Sequence, residues 1–189
     1  MIQEKHIWKP GNMLYPLPVV MVSCGNSEKH NIITIAWTGT LCTTPPMVYI
    51  SVRPERHSYA MIKERMAFTI NLVDKNLVKA ADFCGVRSGK DLDKFKTMKL
   101  TPVAGIQIPC PYIAESPLSM ECKVTQIIEL GSHHMFMAEV LNTIADERFF
   151  NTRTSKFEIE RAALINYNHG GYFEHGDLVG TFGYSVKKK

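Results

Sequence analysis

The sequence lacks most of the features that would assign a job at sight. Its longest apolar run, around residues 16–24, falls far short of the roughly 20 residues that a spanning helix needs. The opening "MIQEKHIWKPGN" contains no apolar stretch of the signal-peptide kind. The five cysteines (Cys24, Cys42, Cys84, Cys110, Cys122) are odd in number, widely scattered in apolar segments, and never at the spacing of a zinc or redox pair. These absences argue against a membrane protein or a disulfide scaffold. They imply a soluble, cytoplasmic protein with reduced and mostly buried thiols.

Charge of one sign is also scarce. The formal net charge is +4, but Lys187, Lys188 and Lys189 supply three of those charges and read as a solvated end. The body is nearly neutral and carries no basic stripe, so nucleic acid is not an expected partner. There is no Gly-x-Gly-x-x-Gly fingerprint after the first strand-like segment, which argues against a doubly wound dinucleotide fold. Linkers of low complexity, charge blocks and internal repeats are missing as well. With 189 residues, 45% hydrophobic and 21% charged, the chain fits one domain over residues 1–189, its core spanning about 15–185.

What is present is mainly strand. "PLPVVMVSC" is an apolar, Val-rich run closed by the turn residues "GNSEKHN"; "IITIAW", "TGTLCTTPP" and "MVYISVR" follow. In the last, Val48, Ile50 and Val52 alternate with Tyr49, Ser51 and Arg53, the pattern of a half-buried strand entered from Pro45 and Pro46. Ser58 offers an N-cap for a short helix over "YAMIKERM", and Asp74 one for "KNLVKAADFC", with Gly85 placed as its C-terminal glycine. "LSMECKVTQIIEL" and "MFMAEVLNTIAD", joined by "GSHH", read as a long hairpin burying Met120, Cys122 and Val124 and exposing Glu121, Lys123 and Thr125. The Gly- and aromatic-rich end, from Tyr167 on, suits a segment crossing an open barrel end. Strands joined mostly by turns, with few short helices, predict a mainly β, antiparallel barrel.

The stretch "GVRSGKDLDKF", residues 85–95, looks at first like a phosphate loop. It is not a P-loop, which needs four residues between its glycines and Ser or Thr after the Lys. Here Gly85 and Gly89 enclose three, and Lys90 is followed by Asp91. Asp91 and Asp93 could pass for a metal pair, but no further clustered ligand supports one, and no metal site is expected.

Four blocks in order carry a resemblance: "NIITIAWTGTLCTTPPMVYISVRPERHSYAMIKERMAFTINLV" (residues 31–73), "ADFCGVRSGKDLDKF" (81–95), "ESPLSMECKV" (115–124) and "GSHHMFMAEV" (131–140). Together they resemble the flavin-reductase-like, FMN-binding split-barrel family, and within it the flavoredoxin branch. The resemblance implies an antiparallel Greek-key split β-barrel, bound FMN and a homodimer with the flavin near the subunit interface.

It also implies site residues. Asn31, Thr34, Ala36, Trp37 and Thr38 are assigned to the ring and ribityl surface. Alone, Trp37 would read as a core indole; the surrounding pattern turns it towards a ring contact. Thr40 and Thr43 could equally be turn residues. Arg53 and Arg56 are phosphate candidates because a guanidinium pairs planar oxygens, though either could as well be solvated. Ser58 can cap its helix and bind phosphate, and is paired with Arg56 ahead of Arg53. In the family's Ser-Gly, three residues, Asp-Lys-Phe pattern the lysine at the flavin is Lys94, with Ser88 or Asp91 starting a helical turn, Leu92 and Phe95 facing the core, and Lys90 in solvent. One of His133 and His134 faces the flavin, His133 preferred, and Tyr167 closes the pocket.

The implied activity is that of an FMN-dependent oxidoreductase taking hydride from NAD(P)H and passing electrons to a redox protein or small-molecule acceptor. No side-chain nucleophile or base is required, since the cofactor carries the chemistry. The competing readings are a reductase that releases reduced flavin to a monooxygenase and an FMN-binding module without turnover.

Overall fold

The computed structural model describes residues 3–186; the terminal lysines Lys187, Lys188 and Lys189 lie outside the described residues. A two-residue strand β1 (Leu17–Pro18) leads into β2 (Val20–Gly25), β3 (His30–Ile35), β4 (Thr38–Thr43), β5 (Pro46–Val52), helix α1 (His57–Arg65) and β6 (Ala67–Leu72). Helices α2 (Val78–Val86) and α3 (Lys94–Met98) follow, then the short ladder of β7 (Pro102–Val103) and β8 (Tyr112–Ile113). The long hairpin β9 (Leu118–Glu129) and β10 (His134–Ala145) comes next. Two small pairs finish the chain, β11 (Phe150–Asn151) with β12 (Lys156–Phe157) and β13 (Ile165–Asn168) with β14 (Gly171–Glu174).

Seven strands make one antiparallel sheet in the order β3-β2-β6-β9-β10-β5-β4. The crossing from β5 through α1 to β6 spans the β9–β10 hairpin, which produces the Greek-key order. The outermost strands, β3 and β4, are consecutive in sequence and separated only by Ala36 and Trp37. A two-residue link cannot bridge the width of a flat seven-stranded sheet, so the sheet must curl until its edges approach. They meet without forming a ladder, leaving an antiparallel barrel with a split between them. Two register shifts in the β9–β10 ladder let that long hairpin follow the curve.

Alternation fills the interior as the sequence suggests. Val48, Ile50 and Val52 point inward with Val22, Ile33, Phe68, Ile70, Val124 and Phe136, and α1 adds Tyr59, Met61 and Ile62 at one end. β2 is buried at every position because α2 and α3 cover its other face, where Met21 packs with Ile32, Ala81, Cys84 and Phe95. A strand covered on both faces reads as a continuous apolar run. Cys24, Cys84, Cys110 and Cys122 are buried, and burial pushes their thiols up to between about 11 and about 12. Among the described residues no helix is long and apolar enough to cross a membrane.

Several local expectations are corrected. Ser58 lies inside α1, behind the N-cap Arg56, and its hydroxyl caps nothing. Asp74 does act as expected of a cap, but on the turn before α2, accepting from the amides of Asn76 at 3.0 Å and Leu77 at 3.1 Å. Gly85 is within α2, not beyond it, and no left-handed backbone requires it; a Cβ there would stand 3.3 Å from the Cβ of Thr34, so its role is close helix–strand approach. α3 is capped by Asp93, which accepts from the Lys96 amide at 3.1 Å, in place of Ser88 or Asp91. Phe95 is buried, whereas Leu92 is only half-buried and outside the core clusters. In the aromatic end, β13 pairs with β1 and β14, and Tyr172 donates to Asp82 of α2 at 3.0 Å.

The largest departure is Glu121, expected on the solvent face and in fact fully buried. Residues 104–110 fold over that face of the sheet. The carboxylate holds them by accepting from the amides of Ile106 at 2.6 Å and Gln107 at 3.1 Å, and from Asn142 Nδ2 at 3.0 Å. Nearby Asn71, also buried, donates to Met21 O and Ser23 Oγ and accepts from the Ile113 amide and Ser119 Oγ. Replacing Glu121 by Ala removes the shared acceptor of the Ile106 and Gln107 amides and Asn142 Nδ2 and leaves a hole where a fully buried side chain stood. Glu121→Ala is expected to lose about 2–4 kcal/mol of stability in urea denaturation and Glu121→Gln clearly less, because an amide retains one acceptor oxygen.

Candidate functional site

The split between the sheet edges opens into a groove with two connected compartments of about 510 and 220 Å³, which share Ile33, Arg53 and Arg56 on their walls. Their size is ordinary for a cofactor-sized ligand. Each wall comes from a different element: Asn31 and Thr34 from β3, Arg53 from the end of β5, Arg56 and Ser58 from the start of α1, Ser88 and Gly89 from the loop after α2, and Lys94 from the first position of α3.

In the larger compartment the polar groups are tied to the frame. Asn31, 4% exposed, donates from Nδ2 to Ser58 Oγ at 2.9 Å. Lys94, 3% exposed, donates from Nζ to Ile32 O of β3 and to Cys84 O of α2, both at 2.7 Å. Arg56 donates to the next carbonyl of α2, that of Gly85. Two cations therefore meet the last turn of α2, whose final carbonyls have no intrahelical donors and carry the negative end of the helix dipole. Gly89 makes the cradle possible: a Cβ there would come 2.2 Å from Asn31 Oδ1. Burial, with Arg56 adding repulsion, pushes the Lys94 ammonium down to about 8. Burial and the positive charges of Lys29, Lys90 and Lys94 hold His57, also on the wall, below its ordinary value.

The smaller compartment is an aromatic shelf. Trp37 is 37% exposed, so it is no core indole, and its ring lies 4.4 Å from that of His133, centroid to centroid, at 44°. Both line the compartment with Thr34 and Ala36. Burial, then the Arg53 charge, lowers the His133 imidazole, and Glu55 opposes the shift. His134 points elsewhere: its Nδ1 lies 2.7 Å from Tyr59 Oη in a hydrogen bond that joins α1 to β10.

Ten of the twelve residues singled out from the sequence thus converge: Asn31, Arg53, Arg56, Ser58, Ser88 and Lys94 on the first compartment and Thr34, Ala36, Trp37 and His133 on the second. Thr38 and Tyr167 do not. Thr38 is buried in the β4–β5 ladder, where Oγ1 donates to Tyr49 O at 2.6 Å. Tyr167 sits opposite Leu17 in the small β1–β13–β14 sheet, its ring 5.8 Å from that of Tyr172. Lys90 is exposed, as expected. Sequence reasoning missed His57, Arg87 and Gly89 as wall residues. The only signal for them was adjacency, to Arg56 and Ser58 in one case and to Ser88 in the others.

The arrangement suits a ligand with an anion at one end and a flat, partly polar ring at the other. The donor set of Lys94, Arg56, Ser58 and Asn31, the cradle at Gly89 and the Trp37–His133 shelf all fit a flavin phosphate, ribityl chain and ring. A split barrel with such a seam defines a class of flavin-related redox proteins. The family described as "Flavin reductase like domain" matches residues 12–174, and the chain belongs to it. The fold superposes on flavoredoxin of Desulfovibrio vulgaris (Miyazaki F) with a TM-score of 0.89 and 29% identity, over 97% of this chain and 100% of that one. An uncharacterized protein of Aeropyrum pernix is 31% identical over 128 residues, which are 67% of this chain but 49% of that protein, so the match spans about half of this relative's length. An NADH-dependent FAD reductase of Streptomyces globisporus is 26% identical over 128 residues, 67% of this chain and 69% of that protein.

The depressed ammonium of Lys94 makes a stability prediction. Between about 8 and the unfolded value near 10.4 the unfolded chain binds the extra proton, so stability rises with pH through that window. Relative to Lys94→Met, the wild type is expected to gain about 2–3 kcal/mol between pH 7 and pH 10, measured as the difference between two denaturation series. Parallel series would show that Lys94 titrates normally.

Proposed function

We propose that the chain is an FMN-dependent oxidoreductase of flavoredoxin type, fed by NAD(P)H and serving an electron acceptor. The observation that carries this reading is the pair of cations, Lys94 and Arg56, pinned to main-chain carbonyls at one end of a groove whose other end is the Trp37–His133 shelf. Lys94 and Arg56 neutralise the phosphate, Ser58 and Ser88 offer hydroxyls to it, and Asn31 faces the ribityl chain. Trp37 and His133 pack against the ring and exclude water from one side, and Thr34 and Ala36 line its edge. A flavin held by these residues would supply the redox chemistry, two-electron exchange between a nicotinamide donor and an acceptor.

Donors held in place before the ligand arrives lose little freedom on binding, which supports a resident flavin over one released at each turnover. A cytoplasmic homodimer accords with this reading. Its support is the exposed apolar side chains of the terminal segments, Ile7 and Trp8 at one end and Val179 and Phe182 at the other.

Protein purified under native conditions is expected to be yellow, or to become so with added FMN, and to bleach anaerobically with NADH or NADPH. A colourless protein that takes up no flavin would sink the proposal, and a yellow one that bleaches with neither donor would leave only flavin binding. Lys94→Met is expected to weaken FMN binding at least about tenfold, as for loss of a charge-assisted contact, and Lys90→Met less than about twofold. Fluorescence titration of folded variants decides this, and equal effects refute the role given to Lys94.

A further inference from the structure

The cations around the larger compartment fall into two sets by the way they are held. Lys94 and Arg56 are tied to backbone carbonyls. Arg87 and Arg53 are not. Arg87, exposed at the carboxyl end of α2, has a guanidinium without a hydrogen-bond or ion-pair partner among the described residues. Arg53 meets only Glu55, at 4.0 Å, with the two side chains 57% and 76% exposed. Glu55 is the one carboxylate among the described residues on this wall. Lys29 and Lys90 stand close enough for their charge to be felt at His57, on the same wall.

A monoester phosphate brings close to two negative charges at neutral pH, and the two tethered cations match it. The remaining positive charge exceeds what that phosphate needs. Its placement suits another role: exposed, unpinned cations raise the local concentration of an arriving anion and grip it transiently. An unpartnered guanidinium on a cavity wall also offers a planar fork to two phosphate oxygens.

We propose that the outer rim of the compartment, anchored by Arg87, takes a second phosphate carried by an exchangeable nucleotide co-substrate. The proposal rests on the flavin reading of the inner residues. The phosphate has two possible sources, a 2′-phosphate on the adenosine or the pyrophosphate of the dinucleotide.

FMN-saturated protein titrated calorimetrically with adenosine 2′,5′-bisphosphate, ADP and adenosine tests it. A phosphorylated probe should bind at least about tenfold tighter than adenosine and weaken with added salt. Arg87→Gln should weaken that probe about tenfold and Arg87→Lys less, while FMN affinity stays within about twofold. Preference for the bisphosphate assigns a 2′-phosphate; equal binding of ADP assigns the pyrophosphate. The proposal is overturned if adenosine binds as well as either phosphorylated probe or if none binds. It fails equally if Arg87→Gln leaves the probes unaffected, or if that change weakens FMN as much as the probe. Failure of the wild type to take up FMN overturns the flavin reading and this one with it, whereas any of the other results in flavin-loaded protein overturns this one alone.

Discussion

The ammonium of Lys94 holds together the part of the molecule on which the site depends. Its two hydrogen bonds join the edge strand β3, at Ile32, to the last turn of α2, at Cys84. Without that bridge the end of the helix would present unpaired carbonyls to a buried strand, at a cost of about 1–3 kcal/mol for each group left unsatisfied. The bridge brings Gly85 against Thr34, where a Cβ would be tight, and the following loop onto Asn31, where a Cβ at position 89 would clash. The β3–α2 side of the larger compartment is thus held by one buried cation meeting a helix end.

The same arrangement explains how positive charge can collect in a nearly neutral protein. Helix ends with unpaired carbonyls attract cations, and α2 draws two of them to its carboxyl end. The sheet contributes a narrow seam because Ala36 and Trp37 leave so little chain between its edges. Topology therefore makes a slot, and the helix end lines one side of it with charge.

The barrel was legible because its strands obey simple periodicity where one face is solvated: Val48, Ile50 and Val52 alternate with half-buried neighbours, and Cys122 and Val124 of β9 are buried as their alternation implies. Legibility failed where a second layer covers the sheet. Glu121 alternates correctly yet is buried, since a loop that no local pattern announces folds over it. The site was readable as ordered blocks of residue types; their wall neighbours His57, Arg87 and Gly89 were not, because lining a cavity depends on the loop path after α2. Thr38 went the other way: a hydroxyl that looked available to a ligand is spent on its own strand pair. Ser58 looked like a helix cap and is instead the partner of Asn31.

Two of the buried polar centres among the described residues show what separates a structural group from one suited to a ligand. Around Asn71 and Glu121 the chain supplies partners on every side: the amide of Asn71 both donates and accepts, and each oxygen of Glu121 has a donor. Such a centre lines neither compartment of the groove and holds loops to a sheet. Around Lys94 the count differs. An ammonium has three donors and the chain accepts two, on a wall where the hydroxyl of Ser88 takes only the Lys90 amide at 3.2 Å. Spare donors facing a cavity, fixed by the bonds they already make, are the physical definition of a preorganised anion site, and burial alone would not have distinguished the two centres.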